Sequence, residues 1–340
     1  MHYLVTGGKG FVGGYLIQDL LEAGHKVTAI DNFSKYGEVS HQFDSNENFR
    51  FIQGDCRDVQ LLTELMEDVD IVVAAAALIG GITYFHEFAY DLLSQNEQIL
   101  AATFDAAIQA FKTKQLQRIV VISSSMVFES TNIFPTPEGA ELVSPPPKSS
   151  YGFQKLSSEY FARAAYSQYG LPFTIVRPFN CIGVGEKRVL QGQKILSGNI
   201  ELTMSHVVPD LIKKILLGQH PVRILGSGQQ IRCYTYGGDL ARGIRLASES
   251  SKGINEDFNI SVSTPTTVID LARTIFEQIH EDRKDFEWVS DAPYEYDVEK
   301  RIPDTTKARE RLGFEATTPL SAALQEIIPW IKEMLNKGQI

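Results

Sequence analysis

An α/β fold, with a parallel sheet wound on both faces by helices and a smaller lobe behind it, is what the sequence predicts. Three observations predict it. Short apolar strands alternate with helical segments through the first half of the chain, a glycine-rich turn joins the first strand to the first helix, and 340 residues suffice for one large α/β unit or two fused lobes. The strands are "HYLVTGG" (2–8), "KVTAIDN" (26–32), "FRFIQGD" (49–55), "DIVVAAA" (70–76) and "RIVVISSS" (118–125), with "YLIQDLLEAG" and "LLTELMEDV" among the intervening helices. Strands separated by helices of roughly ten to fifteen residues form βαβ units, and those units build a doubly wound parallel sheet. "PFTIVRPFN" (172–180) supplies a further strand, after which the pattern turns irregular. The expected division is 1–180 for the sheet unit and 181–340 for a loop-rich, mainly substrate-binding lobe, with a strand near "EDFNISVS" returning to the main sheet. "PTPEGAELVSPPPKSS" reads as an ordered proline-rich loop.

Composition excludes several classes. Hydrophobic residues at 43% and charged residues at 22% are ordinary for a soluble globular chain. The longest apolar run, "IVVAAAALIGGI" (71–82), falls short of the roughly 20 residues a membrane helix needs, so no membrane partner is expected. "MHYLVTGG" enters a strand without a leader pattern, which gives a cytoplasmic expectation. Cys56, Cys181 and Cys233 lack CxxC or Cys/His spacing, so neither a disulfide framework nor a metal site is expected. With a net charge of -10 and no Lys/Arg cluster, nucleic acid is not an expected partner. An anionic nucleotide would then have to be attracted by local arginines and helix N-termini.

"VTGGKGFVGG" sets Gly7, Gly10 and Gly13 at GxxGxxG spacing between a strand and a helix. Glycine there permits a tight turn and lets the backbone approach a pyrophosphate on the helix N-terminus. Asp31 ends the next strand about 20 residues on, where a carboxylate reads the ribose hydroxyls of a dinucleotide. Such a carboxylate would repel a 2'-phosphate, so NAD is expected rather than NADP. The unit is thus of the Rossmann type. Asp55 in "GDCRD" is either an adenine-side residue or a turn or N-cap residue.

Tyr151 and Lys155 in "SSYGFQKLSSEY" are four apart, hence on one face of a helix. The glycine turn, Asp31, "ISSSMVF" and "YGFQK" together resemble the extended short-chain dehydrogenase/reductases, in particular their NAD-dependent nucleotide-sugar epimerases and dehydratases. "RPFNCIGVG" (177–185), "SHVVPDLIKKIL" (205–216), "GSGQQIRCYTYGGDLARGI" (226–244) and "RIPDTTKARERLGF" (301–314) resemble segments those enzymes carry in the same order. The resemblance implies that Tyr151 is the base, Lys155 its supporting cation and Ser124 the hydrogen-bond partner of the reacting oxygen. A phenol ionises near pH ~10, and each unit of depression corresponds to about 1.4 kcal/mol, so a nearby cation is required. The implied cofactor set is Gly7, Gly10, Phe11, Val12, Gly13, Asp31, Asn32, Asp55, Cys56 and Ala75, with Tyr151 and Lys155 at the nicotinamide end.

For the substrate, a nucleotide-diphosphate sugar, the expected contacts are Gly81, Ser125, Met126, Asn180, His206, Arg232 and Arg301. Arg232 and Arg301 are the preferred diphosphate ligands, since guanidinium matches phosphate bidentately. His206 either contacts substrate or caps the helix it precedes. Asn96 is expected to support the backbone of the site. The 4,6-dehydratases in the resemblance carry an Asp-Glu pair where this chain has Ser125 and Met126, which disfavours dehydration. The 3,5-epimerases and GDP-fucose synthases carry a cysteine in place of Met126, although "LIGGI" (78–82) and "SHVVP" resemble theirs. Two reactions need only Tyr151, Lys155, Ser124 and NAD: C4 epimerisation through a 4-keto intermediate, and C4 dehydrogenation that stops at the ketone and needs an outside oxidant. Epimerisation is redox-neutral and is ranked first. The alternatives are an NDP-sugar 4-dehydrogenase, a GDP-mannose 3,5-epimerase-like enzyme and, from another class, a cofactor-binding regulator. "LLSQNEQILAATFDAAIQAF" and "YGFQKLSSEYFARAAYSQYG" resemble the helix pair of the family's four-helix interface, so a homodimer is expected.

Overall fold

β1 (His2–Thr6) and β5 (Arg118–Ile122) are buried at every residue, as interior strands of a parallel sheet covered on both faces must be. The computed structural model describes residues 1–79, 88–113, 116–186, 194–195, 198–199, 206–283, 285–292 and 298–339. Besides β1 and β5 the main sheet holds β2 (Lys26–Asp31), β3 (Phe49–Gln53), β4 (Ile71–Ala74) and β6 (Phe173–Pro178). Two further strands of four residues or more, β7 (Val222–Leu225) and β9 (Trp288–Asp291), pair with each other in parallel away from that sheet, and β8 (Glu256–Ile260) joins it.

The sheet has seven strands in the order β8-β6-β5-β4-β1-β2-β3, and every pairing in it is parallel. Winding reverses between β1 and β4. Their carboxyl ends therefore diverge into a crevice, the place where sheets of this kind take ligands.

Helix α1 (Phe11–Glu22) buries Leu16, Ile17, Leu20 and Leu21, a single stripe that lies against the sheet. Alongside it packs α6 (Gly237–Glu249), whose Leu240, Ala241, Ile244 and Ala247 enter the same core. The opposite face is covered by α2 (Val59–Leu65), α3 (Ala89–Lys112) and α4 (Ser150–Tyr169). Asp58 accepts from Leu61 N at 3.0 Å and starts α2, while Ser149 accepts from Gly152 N at 3.0 Å and starts α4. α5 (Val207–Leu216), α7 (Val268–Ile279) and α9 (Leu320–Asn336) enclose a separate core built on Ile212, Ile275 and Ile331. The lobe is not one continuous stretch. α6, β8 and Ala308 of α8 (Thr306–Leu312) all belong to the sheet unit, so the chain crosses back after residue 236.

β6 and β8 carry a buried ionic cluster. Arg177, with no exposed surface, donates through Nη1 to Asp257 at 2.6 Å, through Nη2 to Glu141 at 2.8 Å and to Glu159 at 2.6 Å, and through Nε to Glu159 at 2.7 Å. Lys307 closes it by donating to Asp257 at 2.7 Å. Burial pushes the Asp257 carboxyl up, but Arg177 and Lys307 more than offset it and hold Asp257 at about 2. A depressed carboxyl stabilises the fold above its unfolded value near 3.8, and that contribution disappears as pH falls toward about 2. Urea midpoints across this window should show wild type losing roughly 2 kcal/mol from this group, and Asp257→Asn should lack that acid-dependent part. An identical pH dependence in both would count against the cluster.

Candidate active site

At the crevice the structure forms a cleft of about 1160 Å³ between the sheet edge and the lobe. One wall is the glycine turn. Gly7 has φ +70°, and a Cβ there would come within 2.8 Å of Ala76 Cα. A Cβ on Gly13 would overlap the Gly7 carbonyl oxygen and reach 2.9 Å from Gly8 Cα. α1 begins at Gly10 with no side-chain cap and no acid in its first turn, leaving its leading N–H groups to an anion. Phe11 and Val12 line the same wall.

Asp31 lies at the mouth of β2, where its carboxylate accepts from Lys9 N at 3.0 Å and Phe33 N at 2.8 Å. Burial pushes its carboxyl up from the ordinary range. These two amides fix its orientation, and lone pairs remain for hydroxyl donors. Asn32 accepts from Ser34 N at 3.0 Å. Asp55 does not cap α2. It accepts from Arg57 N at 2.9 Å and pairs with the Arg57 guanidinium, whose hydrogen bond lowers the carboxyl, and both line the cleft. Burial, with the Asp31 charge, raises the Cys56 thiol to about 12, so Cys56 is a packing group. Ala75 N and Ala76 N donate to the Thr6 hydroxyl at 3.1 and 3.0 Å, which holds the end of β4 against β1.

Further along, Ser124, Ser125 and Met126 continue from β5, and Tyr151 and Lys155 enter from the first turns of α4. Ser124 is hydrogen-bonded to the Tyr151 phenol. The Lys155 ammonium is 5.9 Å from the Tyr151 ring centre and donates to Ile122 O at 2.9 Å. In one respect this differs from the sequence expectation. Burial raises the Tyr151 phenol above 10, opposed by the Ser124 bond and by the charges of Arg301 and Lys35, and burial also lowers Lys155 to about 8. Desolvation acts on both members of the pair, favouring the neutral form of each.

On the lobe side, Asn180 adopts φ +40°, and its Nδ2 is buried without a hydrogen-bond partner among the described residues. Arg232, 6% exposed, donates to Ile231 O at 2.9 Å, and Arg301 Nη1 reaches Asn180 Oδ1 at 3.5 Å. Both arginines line the cleft. His206 holds the N-cap position of α5 but makes no side-chain capping bond; its ring pairs instead with Glu186, and both line the cleft. Asn96 clasps the backbone of Leu78 through bonds of 2.7 and 3.0 Å. Gly81 lies outside the described residues. The remaining expected residues all line this cleft. Lys35, four residues beyond Asp31, lines it as well, and so does Glu186, which no local signal in the sequence marks.

A family model for the NAD dependent epimerase/dehydratase family matches residues 3–261. The chain belongs to that family. NAD is the family's cofactor, and the residues present fit it: an uncapped helix start, a turn that excludes Cβ atoms and a carboxylate at the end of β2. The chain is similar to the UDP-N-acetyl-alpha-D-glucosaminuronate decarboxylase of Bacillus cytotoxicus, at 28% identity with 98% of each chain covered. Among solved structures, UDP-glucose 4-epimerase of Thermotoga maritima matches at 28% identity and TM-score 0.81, covering 98% of this chain and 100% of that one. UDP-glucuronic acid 4-epimerase of Bacillus cereus, solved with UDP-glucuronic acid and NAD, matches at 26% and TM-score 0.82 with the same coverage. Among the described residues no group of three or more His, Cys, Asp or Glu could hold a metal ion, and no helix is long and apolar enough to cross a membrane.

The glycine turn supplies a direct test. In Gly13→Ala the new methyl meets backbone, which cannot swing away as a side chain would, at a cost of about 1–3 kcal/mol. The thermal midpoint should fall by a few degrees and NAD affinity by ~10-fold or more, read by scanning calorimetry and titration calorimetry. Wild-type NAD affinity in this variant would separate the turn from the cofactor site.

Proposed function

We propose that the protein inverts C4 of a nucleotide-diphosphate hexose through a 4-keto intermediate, with Tyr151 as the proton acceptor. The observation that carries this reading is the joining of Tyr151, Ser124 and Lys155 in one cleft with the glycine turn, where the residues after Ser124 are Ser125 and Met126. Bound NAD supplies the reversible two-electron exchange at C4. Tyr151 takes the C4 hydroxyl proton and later returns it, while Ser124 donates to the same oxygen and orients it. Because burial opposes the phenolate, a cation must support it, and Lys155, Arg301 and Lys35 are the cations at hand. Arg232, Arg301 and the Asn180 amide bind the diphosphate in this reading, and the lobe from residue 181 onward, apart from the segments that recross to the sheet unit, holds the nucleotide. A thioether at Met126 and a hydroxyl at Ser125 have no carboxyl group to move protons at C5 or C6, so water is retained.

The relatives named above include UDP-sugar 4-epimerases and a decarboxylase, so UDP-glucose, UDP-glucuronic acid and UDP-N-acetylglucosaminuronic acid are the substrates to offer first. Tyr151→Phe keeps the ring and removes the acceptor, and turnover should fall by about 10²- to 10⁴-fold with NAD still bound. NMR of the product formed in deuterated water should show C4 inversion without solvent deuterium. Deuterium at C3 or C5 would replace this reading with 3,5-epimerisation, free keto-sugar with NADH would replace it with 4-dehydrogenation, and a pentose nucleotide formed from UDP-glucuronic acid would replace it with decarboxylation.

Assembly as a homodimer through α3 and α4 belongs to the same proposal. α3 packs on α4, and the pair leaves Tyr90, Phe153 and Tyr160 at 69%, 49% and 60% exposed. Phe153 and Tyr160 are seven apart and so share one helical face. Sedimentation at micromolar concentration should give a dimer, and Tyr160→Glu should shift it toward monomer. A monomeric wild type would remove this part of the proposal.

A further inference from the structure

Three consecutive residues at the end of β5 are each tied to α4. Ile122 O accepts from Lys155 Nζ at 2.9 Å, Ser123 Oγ donates to Glu159 Oε1 at 2.6 Å, and Ser124 bonds the Tyr151 phenol. Residues 151, 155 and 159 are spaced by four, so one face of the helix takes all three ties. Glu159 is fully buried and also receives Arg177 Nε and Nη2, at 2.7 and 2.6 Å, from the neighbouring strand. Its charge is thereby committed to Arg177, although Lys155 is only one turn away.

We propose that Glu159 is a positioning residue for the reaction: by gripping Ser123 and Arg177 together, it fixes the face of α4 that carries Tyr151 and Lys155 against the strand end that carries Ser124. This rests on the reading of Tyr151 and Ser124 given under Proposed function. Glu159 touches neither substrate nor cofactor in this scheme and moves no proton. It acts on where the phenol stands relative to the Ser124 hydroxyl. Ser123 and Ser124 are successive residues, and their hydroxyls meet α4 two turns apart, at Glu159 and Tyr151. A single strand end can thus hold the helix with one hydroxyl and offer the other to the reacting oxygen. Glu141 is the internal contrast: it meets the same guanidinium at 2.8 Å, has no bond to Ser123, and reaches α4 through Arg163 Nη2 at 3.3 Å, one turn past Glu159.

The test reads the Tyr151 phenol directly, so it does not depend on knowing the substrate. Tyrosine labelled with ¹³C at Cζ is introduced into the full-length chain, and the Tyr151 signal is assigned by its loss in Tyr151→Phe. The charged groups facing the phenol are Lys155 on its own helix, Arg301 from the C-terminal segment and Lys35 from the loop after β2. None of them is altered in the variants. Ser123→Ala and Glu159→Gln should each move the Tyr151 titration upward by about one unit as the Ser124 bond is lost. Ser123→Thr, which keeps the hydroxyl, should restore the wild-type curve. Glu141→Gln, with the same loss of charge on Arg177, should leave the curve in place while lowering the thermal midpoint. With UDP-glucose as the probe, kcat should fall about 10-fold or more in Ser123→Ala with KM little changed. Absence of turnover in wild type would count against the proposed reaction and leave the titration arm to decide this proposal. Unchanged Tyr151 titration in both Ser123→Ala and Glu159→Gln would overturn it, as would an equal shift in Glu141→Gln.

Discussion

A guanidinium with no contact with water has to be neutralised where it stands, and Arg177 is neutralised by carboxylates from three separate parts of the chain. Glu159 comes from α4, Asp257 from β8 and Glu141 from the turn that precedes the proline-rich approach to α4. Satisfying one buried charge therefore draws α4, the returning strand and the loop onto one point of β6. Desolvation of such a cluster is expensive, and an apolar replacement of the same volume would often be as stable. What the cluster provides is register. It admits few arrangements of β5, β6, β8 and α4, and the arrangement it admits sets Ser124 against Tyr151.

Electrostatics inside the cleft run against the average of the molecule. The net charge is -10, yet the walls carry Lys35, Lys155, Arg232 and Arg301 where an anionic nucleotide would lie. Local placement overrides global charge because interactions with solvent-exposed groups beyond ~8–10 Å are largely screened, whereas those across a walled cleft are not. The same exclusion of water raises the Tyr151 phenol and lowers the Lys155 ammonium to about 8, so both titrate away from their ordinary values. Perturbation of this kind in a cleft is a mark of a working site as well as a consequence of burial.

Membership of the NAD dependent epimerase/dehydratase family fixes the cofactor but not the outcome, since the similar proteins include 4-epimerases and a decarboxylase. Met126 and Ser125 are buried beside Ser124 and carry no carboxyl group. His206 and Glu186 form a second titratable pair in the cleft, brought together across the fold rather than by the helix-capping geometry that the sequence allows.

The sequence by itself determined what depends on neighbours along the chain. The glycine turn is a strand, a bend and a helix in direct succession, so local pattern sufficed for it, whereas spacing only set Tyr151 and Lys155 on one helical face and their expected roles came from the family resemblance. Asp31 was legible because a strand of known length delivers its last residue to a known edge of the sheet. Tertiary structure alone decided that β8 lies beside β6, that α6 packs on α1, and that Ser123, Glu141, Glu159, Arg177 and Asp257 meet. It also decided the direction of the Tyr151 shift, which depends on how much water the finished cleft excludes rather than on the lysine four residues away. The physical reason is the same in each case: strand order and desolvation are properties of the packed whole, and residues as far apart along the chain as those of α1 and α6 leave no shared local pattern for a sequence reading to find.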